Sequence, residues 1–170
     1  SNTISYGNSL AGANVSIAYN KDSSTDGSDK SLGIDYTPVD GLMIFGARAD
    51  ISAGTNATDK HTTFGATYTA GGATVGMQRT SLGKNTASTD EDRTHIAASF
   101  AVNENLSVSY GMSTVEFEAP SKVDQEDTGI AVSYTMGSMT LAAFMNNSDD
   151  VGGTSAAEDS VTEISLAFAF

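Results

Sequence analysis

The chain has 170 residues, of which 17 are glycine and 2 are proline, and it contains no cysteine and no tryptophan. Its length allows one domain with a core, whereas the absence of cysteine excludes disulfides and thiolate metal sites. A formal net charge of -13 argues against nucleic acid as a partner, because phosphates would be repelled. No apolar run in the sequence approaches the roughly 20 residues of a membrane-spanning helix.

Eleven segments show the alternation of apolar with polar or small residues that is typical of β-strands. In chain order they are 2–6, 13–19, 31–37, 42–52, 61–69, 73–81, 94–102, 106–115, 129–136, 139–146 and 161–170. Short connections between them alternate with long polar ones, at 21–30, 53–60, 84–93, 116–128 and 146–159. The long connections hold sixteen of the 21 acidic residues. Tight turns on one side and long loops on the other are typical of a membrane β-barrel.

An aromatic residue precedes each short turn and the end of the chain. The six are Tyr6, Tyr36, Tyr68, Phe100, Tyr134 and Phe168, at intervals of 30, 32, 32, 34 and 34 residues. Rings at one level are expected of a girdle at a membrane interface, where hydrocarbon gives way to headgroups. The alternative is that aromatic residues simply favour strands.

The two faces of the predicted strands differ in charge. The outward face is assigned the apolar residues, including Met43, Phe45 and Ile51 in the fourth segment. The inward face then carries the predicted pore-lining set, which is Asp35, Arg48, Asp50, Gln78, His95 and Glu163. Arg79 breaks the pattern, and either a position near lipid phosphates or a bulge that turns it inward could accommodate it.

The opening SNTISYGNSLAGANVSIAYN, the repeated hairpins and the terminal SLAFAF resemble the general porins of Gram-negative outer membranes, especially the alphaproteobacterial type. This resemblance implies a water-filled antiparallel barrel of sixteen strands, commonly a homotrimer, surrounded by outer-membrane lipid and lipopolysaccharide. It also implies that the barrel-assembly machinery reads the terminal residues Ile164, Leu166, Phe168 and Phe170.

A porin begins and ends on the periplasmic side, which requires an even number of strands, whereas eleven is an odd number. If the last segment corresponds to strand sixteen of the family, the first corresponds to strand six. Residues 1–170 are therefore expected to be a single β-barrel domain, the C-terminal portion of a porin without its N-terminal strands and constriction loop. The missing strands are expected to come from another chain or from further sequence of the same protein.

The function predicted from this resemblance is passive diffusion of small hydrophilic solutes and ions. Arg48, Asp35 and Asp50 would be wall charges that select solutes, or charges that merely solvate the lumen. The alternatives are an autotransporter-type or other export barrel and, less favoured, a soluble secreted β-sandwich or adhesin. No enzymatic activity is expected, because the sequence contains no catalytic motif and its two histidines, His61 and His95, lack metal-ligand spacing.

Two acidic clusters are weak candidates for Ca²⁺ or Mg²⁺ at the surface beside lipopolysaccharide, and no other cofactor is predicted. The first cluster is Asp90, Glu91 and Asp92, and the second is Asp124, Glu126 and Asp127. The alternative is that both clusters belong to ordinary solvated loops.

Overall fold

The structure is a computed structural model, and it describes residues 2–21, 27–52 and 57–169. Eleven β-strands form the fold, which confirms the predicted strand number and antiparallel arrangement. They are β1 Asn2–Leu10, β2 Ala13–Lys21, β3 Ser28–Val39, β4 Leu42–Ser52, β5 Thr58–Ala70, β6 Ala73–Gly83, β7 Glu91–Ala101, β8 Leu106–Phe117, β9 Gln125–Met136, β10 Met139–Asp149 and β11 Asp159–Phe168. A short 3₁₀ turn, Val151–Gly153, lies between the last two strands.

The strands form one sheet in which every strand pairs with its neighbours in the sequence. Among the described residues, β1 pairs only with β2 and β11 only with β10, so the sheet is not closed on itself. Within the same ranges, no helix is long and apolar enough to cross a membrane.

Tight hairpins join the strands at one end of the sheet. Ala11 and Gly12 form a two-residue turn with φ of 51° and 85°, and Gly41 has φ 79° in the turn after β3. Positive φ at both central residues is the geometry of a type I′ turn, whose twist suits antiparallel strands. Several strands extend further into the long connections than their apolar patterns indicate. The backbone ladder continues there through residues with polar side chains, such as Asp29 and Asp59, because it does not depend on apolar side chains.

The sheet has two unlike faces, since cross-strand partners lie on the same side. We call the face with Ile17, Leu32, Phe64, Met77 and Ile96 the apolar face. We call the opposite face, with Asp35, Gln78, His95 and Ser113, the polar face.

No second layer covers the apolar face. Ile17 is 49% exposed and Phe64 is 55% exposed, as are many similar side chains on this face. Among the described residues the only buried hydrophobic side chain is Val115, at 7% exposure. Within those ranges the sheet therefore lacks a hydrophobic core of its own, unlike the soluble β-sandwich considered above.

A β-bulge before the turn between β3 and β4 overturns the predicted face of β4. Tyr36 pairs with Ile44, but Val39 pairs with Leu42, so β3 carries one extra residue at Thr37 and Pro38. Pro38 cannot donate a ladder hydrogen bond, and a slip of one residue moves every later side chain of the strand to the other face. The assignment of Met43, Phe45, Ala47, Ala49 and Ile51 to the outward face is therefore wrong, and these residues lie on the polar face.

The six aromatic residues all lie on the apolar face. From Tyr36 onwards, each ring is displaced along the strands by two residues relative to the previous ring. On β4, for example, Tyr36 is opposite Ile44 and Tyr68 is opposite Leu42. Each step is two residues along a strand, at about 3.3 Å per residue, and two strands across the sheet, at about 4.8 Å per strand. The line through the rings is therefore inclined by about 35° to the hydrogen-bond rows. Strand tilts of roughly 35–45° are those of membrane barrels, so the rings share one level if the sheet is tilted in this way.

Tyr6 departs from this regular step. Its row crosses β2 at Ile17, four residues from Ala13, the partner of Tyr36. A ring that followed the regular two-residue step would be at the position of Asn8 on β1. The Nδ2 of Asn8 donates a hydrogen bond to the Tyr6 hydroxyl at 2.8 Å. The polar tip of Tyr6 thus reaches the level of the other rings although its backbone does not.

The bulge predicts opposite environments for two adjacent small residues of β4. The chain has no native cysteine, so Gly46→Cys and Ala47→Cys can each carry one thiol-linked fluorophore in the barrel reconstituted in lipid vesicles. We expect brominated acyl chains to quench the label at position 46 and aqueous iodide to quench the label at position 47. The reverse pattern would show that β4 alternates without the bulge.

Candidate pore wall

One continuous ladder row crosses the polar face of all eleven strands. Its members face one another in register and are mostly polar or small, apart from one aromatic ring. From β1 to β11 they are Ser9, Asn14, Asp35, Phe45, Gly65, Gln78, His95, Ser113, Asp127, Ser148 and Asp159. The alternation of the strands thus brings Asp35, Gln78 and His95, predicted separately from sequence, onto a single row.

Hydrogen bonds from neighbouring side chains hold two carboxylates of this row, Asp35 and Asp127, in place. The Nδ2 of Asn14 donates to Asp35 Oδ2 at 2.8 Å. Asp127 accepts from Ser113 Oγ at one oxygen and from Gln125 Nε2 at the other, both at 2.8 Å. Neutral amide and hydroxyl donors orient these carboxylates without cancelling their charge.

Phe45 is the bulky apolar member of the row, and it lies across a glycine. A Cβ added to Gly65 would be 2.5 Å from the Cζ of Phe45 and 2.5 Å from the carbonyl oxygen of Met77. Only glycine leaves room for the ring, which covers the exposed backbone of β5. The contact fixes Phe45 on the polar face and supports the register that the bulge sets.

Most charged residues on the polar face of the described strands are acidic. The acidic residues are Asp29, Asp35, Asp59, Glu91, Asp127, Asp159 and Glu163. The one Lys or Arg on this face within the described strands is Arg93, whose Nη2 lies 2.8 Å from the Oε2 of Glu91. The predicted residue Glu163 is on this face opposite Phe144, four residues along β11 from Asp159.

Arg48 and Asp50 do not join Asp35, contrary to the predicted set. Because of the bulge they lie on the apolar face, where Arg48 is opposite Leu32 and Asp50 is opposite Lys30. The Nε of Arg48 is 3.3 Å from Asp50 Oδ1, and both side chains are exposed to solvent. The placement of Arg48 and Asp50 with Asp35 on one wall is therefore wrong.

Arg79 also lies on the apolar face, and β6 pairs with β5 and β7 without a bulge. Its Nη2 is 3.0 Å from Asp92 Oδ2 and 2.9 Å from Glu116 Oε2, and its Nη1 donates to Thr94 Oγ1 at 3.0 Å. Of the two arrangements considered from sequence, an outward position is correct and an inward turn is not. The carboxylate partners, rather than lipid phosphates alone, satisfy the guanidinium.

Charged side chains form a band on the apolar face toward the long connections. Basic and acidic members are present in equal number there. They are Lys21, Lys30, Arg48, Lys60 and Arg79 with Asp50, Asp92, Glu116, Glu126 and Asp149. The apolar residues lie between this band and the aromatic residues near the short turns.

The two acidic clusters are divided by strand alternation. Asp92 and Glu126 are on the apolar face, whereas Glu91 and Asp127 are on the polar face. Asp92 pairs with Arg79, and Glu91 pairs with Lys84 and Arg93. Within the described ranges, no three His, Asp or Glu residues come together as a metal site.

The terminal strand presents Ile164, Leu166 and Phe168 on the apolar face, each well exposed. Phe170 lies outside the described residues. The proposed recognition of this segment by the assembly machinery stays a prediction.

The uncovered apolar face and the polar row together define the wall of a β-barrel membrane protein. The family model of the Gram-negative porins matches residues 1–170, and the chain belongs to that family. No curated protein is similar enough in sequence to count as a match.

Solved porin structures share this fold at low sequence identity. The anion-selective porin of Comamonas acidovorans superposes with a TM-score of 0.80 at 16% identity, over 99% of this chain and 59% of that chain. A mutant of the Rhodopseudomonas blastica porin gives 0.69 at 16% identity, over 99% and 55%. OmpT of Vibrio cholerae gives 0.68 at 18% identity, over 98% and 64%. The chain spans less than two thirds of the length of these proteins.

The contact between Phe45 and Gly65 predicts a selective loss of stability. Gly65→Ala should lower the free energy of unfolding by about 1–3 kcal/mol, because the added carbon meets both the ring and a backbone oxygen. Urea unfolding of the protein in lipid vesicles measures this. Gly46→Ala on the neighbouring strand is the control, since its Cβ would meet only the carbonyl oxygen of Thr63 at 3.6 Å. Equal effects of the two substitutions would contradict the assigned contact.

Proposed function

We propose that this chain forms most of the wall of a water-filled channel in the outer membrane, through which small hydrophilic solutes and ions diffuse passively. The observation that carries the proposal is the two-faced single sheet, with uncovered hydrocarbon side chains on one face and a polar row on the other. The family and its structural neighbours indicate the Gram-negative outer membrane, and the fold points to a non-enzymatic channel.

The pore lining in this proposal is the polar face. Asp35, Gln78, His95 and Glu163 line the lumen as predicted from sequence, and Asp127 joins them through its place on the same ladder row. Strand alternation supports this assignment, because residues opposite a lipid-facing set face the water of a barrel. Arg48 and Asp50 are outside the lumen.

The proposed channel prefers cations. Seven carboxylates and one arginine lie on the polar face of the described strands, whereas the apolar face carries five charges of each sign. A wall lined mainly by one sign of charge raises the local concentration of ions of the other sign. The preference expected here is opposite to that of the anion-selective porin of Comamonas acidovorans.

The surrounding partners follow from the same two faces. The apolar face contacts acyl chains, and the charged band above it lies where lipopolysaccharide headgroups are found. A closed channel needs N-terminal strands to pair with β1 and β11, whose unpaired backbone would be costly in lipid. Assembly as a homotrimer through the barrel-assembly machinery completes the proposal.

Ion selectivity tests the proposed lumen directly. In a planar bilayer under a KCl gradient, the assembled channel should show a reversal potential of the sign that indicates K⁺ preference. The triple variant Asp35→Asn, Asp127→Asn and Glu163→Gln should lower the ratio of K⁺ to Cl⁻ permeability roughly twofold or more, because three wall charges are lost. Salt near 0.1 M is suitable, since the screening length is then about 10 Å.

The matched control removes three acids from the apolar face. Asp50→Asn, Glu126→Gln and Asp149→Asn change the net charge by the same amount outside the proposed lumen. This variant should keep the selectivity of the parent. Equal shifts in both triple variants would contradict the assignment of the polar face to the lumen, and a parent that folds completely but passes no current would contradict the channel itself.

A further inference from the structure

The connection between β10 and β11, residues 150–158, is a folded unit, and we call it the β10–β11 loop. Asp150 Oδ1 accepts a hydrogen bond from the backbone N–H of Ala156 at 2.6 Å. The N–H of Val151 donates to the carbonyl oxygen of Ala157, and that of Gly153 donates to Asp150, both at 2.8 Å. Asp150, Gly152, Gly153 and Ala156 all have positive φ, so the loop turns sharply several times within nine residues.

This loop is fastened to the connection between β8 and β9. The Nζ of Lys122 donates to the carbonyl oxygen of Gly152 at 2.9 Å and lies 4.3 Å from the centre of the Phe117 ring. The N–H of Val123 donates to Gly153 at 3.2 Å. Two hydrogen bonds therefore join the two connections, and the contact of the Lys122 ammonium with the Phe117 ring holds Lys122 in place for one of them.

The contact lies on the polar side of the sheet. Phe117 and Gln125 both belong to the polar face, since Phe117 pairs with Glu91 and Gln125 pairs with Val115. The N–H of Gly152 donates to Gln125 Oε1 at 2.8 Å, and the Nε2 of Gln125 donates to Asp127 of the polar row. Gly153 is buried, and so is Val115 on the same face. The loop thus packs against polar-face side chains at the ends of β8 and β9, on the side of the sheet that carries the polar row.

We infer that the β10–β11 loop is an inward-folded flap that narrows the outer mouth of the channel and sets the largest solute that can enter. This inference rests on the proposed function, because the polar face must line the lumen. The flap also carries Asp150 and Glu158, so the narrowed part of the mouth is acidic. The solute class it admits most readily is small and either neutral or cationic.

Two adjacent glycines of the loop provide a matched test of the flap. A Cβ on Gly153 would lie 2.9 Å from the Cδ2 of Phe117 and 2.9 Å from Lys122 side-chain atoms, whereas a Cβ on Gly152 would meet nothing within 4 Å. Both residues have positive φ, 66° at Gly152 and 75° at Gly153. Gly152→Ala therefore introduces similar backbone strain without the collision, and it is the control for Gly153→Ala.

The measurements are single-channel conductance and exclusion of graded polyethylene glycols by the assembled channel, with hydrogen exchange of the loop in micelles. We expect Gly153→Ala to raise the conductance, to admit larger polymers and to speed amide exchange in residues 150–158 about tenfold, as expected for a loop released from its contacts. Gly152→Ala should leave conductance and polymer cut-off at the parent values. Lys122→Ala should act in the same direction as Gly153→Ala if the glycine variant does not assemble, with Lys60→Ala on the apolar face as its charge-matched control.

Faster exchange in Gly153→Ala with unchanged conductance and cut-off would overturn the flap, and so would unchanged exchange. Equal opening by Gly152→Ala would show that backbone strain, not the contact with Phe117 and Lys122, is responsible, which also overturns it. Failure of the proposed function is distinguishable, because the parent channel itself would then pass no current while the exchange of its loop could still be measured.

Discussion

The uncovered apolar face is the constraint on which the rest of the structure depends. A single sheet cannot bury Ile17, Phe64 or Met77 against itself, and among the described residues only Val115 is buried. The burial of apolar surface that normally drives folding must then come from acyl chains, which cover such a face without a second protein layer. In lipid the backbone polar groups must also be paired within the protein, and the continuous antiparallel ladder does so along every strand except the outer edges.

The distribution of charge follows from that constraint. Charges on the apolar face of the described strands lie in the halves nearer the long connections, where Arg79 is held between Asp92 and Glu116. Arg48 lies between the apolar residues and the strand ends, and its long side chain can extend toward the polar region. The polar face has no such restriction, and it keeps carboxylates such as Asp35 and Asp127 that are bonded to neutral donors.

Much of this architecture could be predicted from the sequence because alternation with a period of two is a strong signal. Alternation predicted the eleven strands and the side of the sheet with the short turns. It also placed Asp35, Gln78, His95 and Glu163 on the face opposite the apolar residues. It failed at β4, where Leu42 and Ile44 compete with Met43 and Phe45 for the apolar face. The extra residue at Thr37 and Pro38 decided the register, and Pro38 was the one local signal that could have indicated it.

The folded β10–β11 loop could not be predicted in the same way. Its contacts join Gly152 and Gly153 to Phe117, Lys122 and Gln125, which are about thirty residues earlier and show no periodic pattern. Paired glycines indicate a turn, but not which neighbouring loop it will contact. Loop contacts of this kind depend on the strands first bringing their ends together.

The most direct test of the central claim is whether lipid supplies the missing core. Circular dichroism and protease digestion should be compared for the unfolded protein diluted into plain buffer and into lipid vesicles. The account predicts a β-sheet spectrum, protease-resistant strands and heat-modifiable migration on a gel only with vesicles. A monodisperse, fully folded and protease-resistant protein in plain buffer would contradict it.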